Sequence, residues 1–105
     1  MPVSAKICGV STPEAVHAAI LGGASHIGFV FFGRCPRNVT IDQAAALAEL
    51  AARRLKIVGL FVDPEPARID AVRARVRLDA IQLHGNEHPA FAGRLQMRHG
   101  IEVWK

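Results

Sequence analysis

The feature that most constrains this chain is a repeated alternation. Five short segments rich in β-branched and aromatic residues recur at Ala5 to Val10, His26 to Phe31, Lys56 to Val62, Leu78 to Leu83 and Ile101 to Trp104, with starts 21 to 30 residues apart. Each interval between them holds a helix-start signal and room for about three turns, the pattern of consecutive strand–helix units. The strands are near-continuous apolar runs, as in Ile57-Val58-Gly59-Leu60-Phe61-Val62. Such runs suit strands covered on both faces, as in parallel sheets.

The intervening segments carry their own punctuation. Ser11-Thr12-Pro13-Glu14 combines a hydroxyl cap, an early proline and a first-turn acid, and predicts a helix ending at Gly22-Gly23. Thr40-Ile41-Asp42-Gln43 is a capping-box pattern opening an Ala/Leu-rich helix to about Arg53. A third helix follows Asp63-Pro64, with Ile69, Val72 and Val76 on one stripe. A fourth is predicted to begin near Asn86-Glu87, to set Phe91 and Leu95 four apart, and to stop at Gly100.

Two parallel architectures accommodate about five strands and four helices: an open doubly wound sheet, or an arc of an incomplete (βα)8 barrel of the TIM type. Length alone favours the open sheet, because 105 residues complete such a domain whereas a barrel takes about 250. The residues point to the barrel. An open doubly wound domain would carry an acidic pocket or a phosphate loop after its first strand, and neither GxGxxG nor GxxxxGK[ST] occurs. Residues 1–105 read as one α/β domain.

Half of the residues are hydrophobic, enough for a packed core, and no low-complexity tract or linker interrupts them. The opening Met1-Pro2-Val3-Ser4-Ala5-Lys6 lacks the apolar stretch of a signal peptide, and nothing approaches a membrane span of about 20 apolar residues. The expectation is a cytoplasmic protein with no membrane partner. Cys8 and Cys35 form no CxxC pair, and no histidine pair has ligand spacing on one helix face, so no metal is expected. The net charge of +4 suggests anionic partners. Nucleic acid is not expected among them, because Tyr is absent and no aromatics interleave the run Arg68, Arg73, Arg75, Arg77. That run reads as a solvated helix face.

Function in both architectures collects at the carboxyl ends of strands. Those ends hold Cys8-Gly9, the segment Phe31 to Arg37, Asp63, and Gln82-Leu83-His84-Gly85. Lys6 and Cys8, two apart, share a strand face. The ammonium would lower the pKa of the thiol and make it a base or nucleophile. The alternative is a buried inert cysteine with a lysine reaching solvent. Arg34 and Arg37 flank a rigid Pro36 in the longest return and either clamp an anion by paired hydrogen bonds or are merely solvated. His84 shares a face with Gln82 and either meets a substrate or serves the structure.

In order, Lys6-Ile7-Cys8-Gly9, Gly28-Phe29-Val30-Phe31, Pro36-Arg37-Asn38-Val39, Val58-Gly59-Leu60-Phe61-Val62-Asp63 and Gln82-Leu83-His84-Gly85 resemble the phosphoribosylanthranilate isomerases, the (βα)8 barrels of tryptophan biosynthesis. The resemblance covers nearly the whole chain. It implies an Amadori rearrangement of N-(5-phosphoribosyl)anthranilate to 1-(2-carboxyphenylamino)-1-deoxyribulose 5-phosphate, without a cofactor. It makes Cys8 the general base at C2 of the ribose, Arg37 the grip on the anthranilate carboxylate, Lys6 the charge that tunes the thiol, and Gln82 and His84 pocket wall. Two positions depart from the family: Cys35 stands where serine is usual, and Asn86 where aspartate is common.

The family's general acid is an aspartate on the sixth strand and its phosphate grip follows strands seven and eight, beyond the five strands read here. The chain alone is therefore expected to be inactive, and to self-associate or pair with a C-terminal half. Two rivals are a relative of the indole-glycerol-phosphate synthases, which the Lys6-Ile7-Cys8-Gly9 start does not suggest, and a non-catalytic half-barrel scaffold.

Overall fold

Proline and hydroxyl punctuation sets the helix starts. In the computed structural model, which describes residues 6–51 and 54–104, helix α1 (Pro13–Leu21) has Thr12 as its cap, the hydroxyl accepting from the Ala15 N–H at 3.1 Å. Helix α2 (Ile41–Ala51) opens on a reciprocal capping box: Gln43 N–H donates to Thr40 Oγ1 at 3.0 Å, and Thr40 N–H to Gln43 Oε1 at 2.8 Å. Helix α3 (Pro66–Arg73) and helix α4 (Pro89–His99) each begin with proline as first residue.

The α3 start agrees with expectation, but α3 is shorter than its apolar stripe and α4 starts later than expected. Val76 falls beyond α3, although it is buried in the core, and Asn86-Glu87 precedes α4 as loop. The expected α2 end at Arg53 and the β1 start at Ala5 lie outside the described residues.

Strands β1 (Lys6–Cys8), β2 (His26–Val30), β3 (Lys56–Phe61), β4 (Ala80–Leu83) and β5 (Glu102–Trp104) form one parallel sheet in the order β1-β2-β3-β4-β5. Each strand is shorter than its apolar run. Gly9, for example, leaves β1 at φ 76°, yet both Gly9 and Val10 still donate to Gly28 O. The order decides between the two architectures. A doubly wound sheet reverses direction and buries its first strand among the others, whereas here β1 stands at an edge and every new strand adds on the same side, as in a barrel.

Alternation along the strands builds two unlike faces. Ile27, Phe29, Ile57, Phe61, Ile81 and Leu83 are at most 1% exposed and pack with Val16, Leu47, Ile69, Val72 and Leu95 of the helices. The Phe31 and Phe61 rings stack at 5.3 Å within this layer. The opposite face carries Lys6, Cys8, His26, Gly28, Gln82 and Trp104. Val30, Val58 and Ala80 are buried as well but stay apart from the helix-packed core, as residues of the inner face would.

The sheet curls across that inner face. Lys6 Nζ on β1 donates to Gln82 Oε1 on β4 and lies 5.2 Å from the Trp104 ring centre on β5. Three strand spacings of about 4.8 Å would separate β1 from β4 in a flat sheet, beyond comfortable reach for these side chains. The contact also runs diagonally, since Lys6 pairs laterally with His26 and Lys56, and Gln82 with Leu60 four residues further on. Tilted, staggered strands produce such an offset in a barrel.

Candidate active site

The carboxyl ends of the strands gather the reactive groups. Cys8 ends β1 with its thiol on the inner face, over Gly28 of β2: a Cβ on Gly28 would lie 3.5 Å from Cys8 Sγ. Glycine there gives the thiol its space. Cys8 is exposed and its sulfur is free.

Arg37 reaches Gly9, the residue after Cys8, through a folded loop. Cys35 N–H donates to Phe32 O and Asn38 N–H to Cys35 O, each at 3.0 Å, making two tight turns. Val39 N–H then returns to Val30 O at 3.0 Å, and Val39 is buried. This doubling back lays Arg37 over Gly9, the residue after Cys8. A Cβ on Gly9 would stand 2.5 Å from Arg37 Cδ and 3.1 Å from Nη1. The guanidinium side chain thus lies against the backbone that follows Cys8, at the carboxyl end of β1.

His84 completes this rim. Its N–H extends the ladder to Phe61 O at 2.9 Å, and its side chain is exposed. Lys6 and Gln82 touch; Cys8 lies two residues beyond Lys6 on β1, and His84 two residues beyond Gln82, just past the end of β4.

Lys6 is engaged below the thiol. Its ammonium is held by Gln82 and the Trp104 ring, and the His26 ring lies 5.9 Å from that of Trp104. These residues fill the floor beneath the mouth. Of the arginine run, Arg68 is exposed, Arg75 pairs with Asp42 at 2.8 Å, Arg77 donates to Leu55 O at 3.2 Å, and Arg73 donates to His99 O at 3.1 Å. Three of the four thus reach other elements and are not simply solvated.

Sequence reasoning missed Glu87 and Trp104. Glu87 is the one charged residue buried among those described, 7% exposed. Its Oε2 accepts from Asp63 N–H at 2.7 Å and its Oε1 from Gly85 N–H at 2.9 Å. Asp63 in turn accepts from Asn86 N–H at 2.9 Å, and is the only non-glycine residue described with positive φ, 44°. Pro89 was the available signal: proline favours the first helical position, which leaves Glu87 free of α4. Trp104 was placed on a strand correctly, but nothing in a three-residue segment marks its partner.

Among the described residues, no group of three His, Cys, Asp or Glu side chains is placed to hold a metal ion, and no helix is long and apolar enough to cross a membrane.

A one-directional parallel strand–helix arc, with Cys8, Arg37 and His84 near its carboxyl rim, is the architecture of part of a (βα)8 barrel of the TIM type. Comparison with known proteins narrows the class. Residues 5–105 match the family of N-(5'-phosphoribosyl)anthranilate (PRA) isomerases, and the chain belongs to that family. It is 49% identical over 105 residues to the N-(5'-phosphoribosyl)anthranilate isomerase of Paramagnetospirillum magneticum and 47% identical to that of Rhodospirillum centenum, covering 100% of this chain and 49% of each relative. The chain thus spans about half the length of the curated relatives it matches.

Solved structures agree. The Thermotoga maritima phosphoribosylanthranilate isomerase, in a form described as mutually generated monomers of the dimeric protein, superposes with a TM-score of 0.88 at 34% identity, over 98% of this chain and 52% of that one. A phosphoribosyl anthranilate isomerase bound to reduced 1-(o-carboxyphenylamino)-1-deoxyribulose 5-phosphate superposes with a TM-score of 0.89 at 33% identity, over 96% and 51% respectively.

Proposed function

We propose that this chain acts as one unit, the first half of a barrel that isomerises N-(5'-phosphoribosyl)anthranilate to 1-(2-carboxyphenylamino)-1-deoxyribulose 5-phosphate. The observation that carries this reading is Arg37 lying on Gly9, which brings a guanidinium to the residue after Cys8. Family membership and the neighbour that binds the reduced product analogue support it.

In the proposed reaction an acid from the other half of the barrel protonates the ribose ring oxygen, and the ring opens to an iminium between C1 and the anthranilate nitrogen. Cys8, as thiolate, removes the C2 proton, and the C2–H electron pair becomes the C1–C2 double bond of an enolamine. Proton return to C1 with loss of the C2 hydroxyl proton gives the ketone. Only protons move, so the step needs no redox partner or organic cofactor. A cysteine sulfur suits the task because, once positioned, it can take up and return a proton as a general base. Arg37 holds the carboxylate with paired donors, Gln82 and His84 wall the ring, and Lys6 acts from the floor through Gln82. A reactive free thiol at the mouth fits a reducing cytoplasm.

The test joins this chain to the second half of the Paramagnetospirillum magneticum relative and follows product by chromatography. The assembled barrel turns substrate over, whereas the 105-residue chain alone does not. Cys8→Ala lowers kcat by about a hundredfold or more, the scale of a lost general base. Arg37→Lys raises KM, because lysine cannot offer the planar two-donor fork. Full activity in Cys8→Ala would refute the assignment.

A further inference from the structure

The charged side chain that the sequence hides in a loop has no place in the reaction above, yet it is built with care. Glu87 accepts one N–H from the end of β3 (Asp63, 2.7 Å) and one from the turn after β4 (Gly85, 2.9 Å). The exchange is returned, since Asp63 Oδ1 takes the Asn86 N–H at 2.9 Å. A Cβ on Gly85 would stand 2.7 Å from Asp63 Oδ1, so glycine is needed for the two loops to close on each other.

Glu87 is not a helix cap. His88 performs that task for α4, its Nδ1 accepting from Ala90 N–H at 3.0 Å. The carboxylate looks back, away from the helix, toward two strand ends. A carboxyl group offers an oxygen at both positions, whereas a neutral amide would turn a donor toward one of the N–H groups.

We propose that Glu87 is a positioning residue of the mouth: by clamping the β3 end to the turn at Gly85, it fixes the place of His84. The inference rests on the reading above in treating His84 as pocket wall. A wall held in register binds ground state and transition state alike, so its displacement raises KM and leaves kcat in place.

The test uses Glu87→Gln, nearly the same shape, and Gly85→Ala, which pushes Asp63 aside while leaving the Glu87 charge intact. In the 105-residue chain, the Asp63 and Gly85 amides exchange with solvent about tenfold faster in Glu87→Gln, and the His84 ring resonances shift. In the assembled barrel both variants raise KM about tenfold with kcat within about twofold. Unchanged amide protection and KM overturn the proposal. So does a lower melting point and a smaller active fraction with KM unmoved, the signature of a merely structural role. If the wild-type assembled barrel shows no isomerase turnover, the functional reading fails by itself, while the exchange and ring-shift measurements still decide whether Glu87 places His84.

Discussion

Gly9 meets two demands that no other residue satisfies together. Its backbone sits at φ 76°, in the left-handed region, and Arg37 occupies the space a side chain would take. Gly9→Ala therefore costs about 1–2 kcal/mol for the conformation alone and also dislodges the guanidinium. The expected outcome is a lower melting temperature together with a raised KM in the assembled barrel, and a KM equal to wild type would show that Arg37 does not depend on this packing. Cys8, Arg37 and His84 were readable from the sequence because strand ends and a long proline-bearing return are visible there. Glu87 was not, since its chemistry depends on two backbone N–H groups, Asp63 and Gly85, that residue types do not reveal. Lys6 was readable as an inward residue, but its partners Gln82 and Trp104 lie 76 and 98 positions away and depend on the curl of the sheet.

At the level of elements, α3 and α4 are clasped by a polar cluster. Arg98 grips Asp70 with two donors at 2.6 and 3.2 Å, and Arg73 Nη1 lies 3.1 Å from His99 Nδ1. Arginine only donates, so His99 accepts at Nδ1 and carries its proton on Nε2, 3.5 Å from Asp70 Oδ1. Burial and then the Arg73 charge lower the His99 pKa below 6.5, against the smaller pull of Asp70. A lowered pKa means the unfolded chain binds this proton first as pH falls, so the clasp contributes fully above pH 6.5 and weakens below it. Thermal melts on either side of that pH should show the loss, and His99→Gln should reduce it; an equal pH dependence in both proteins would rule the clasp out as its source. The cluster was beyond sequence reasoning, whereas the helices themselves were legible. Ser-Thr-Pro and Thr-x-x-Gln mark α1 and α2 by local hydrogen bonding alone, while the start of α4 was set too early, at Asn86-Glu87, ahead of the Pro89 that opens the helix.

For the whole molecule, the decisive property is a half-roofed sheet. Its accessible surface is 6340 Å², against about 5,700 Å² for a compact monomer of this mass, and the excess fits an open inner face. Strands β1 and β5 each have a single neighbour among the described residues, and such edges invite pairing. Light scattering on the isolated chain should therefore report an oligomer that the second half converts to a one-to-one complex; a monodisperse monomer would mean that the inner face tolerates water. The strand order and the barrel class were legible because each unit repeats the same local grammar. The degree of bending was not, since it is set by side chains meeting across strands. The Lys6–Gln82 bond carries a consequence of its own for assembly. A chain that bends itself by a tie between its own first and fourth strands presents an incoming partner with a ready-shaped cradle, so completing the enzyme becomes a matter of rigid docking, and its rate should follow the concentration of the second half instead of a slow joint rearrangement.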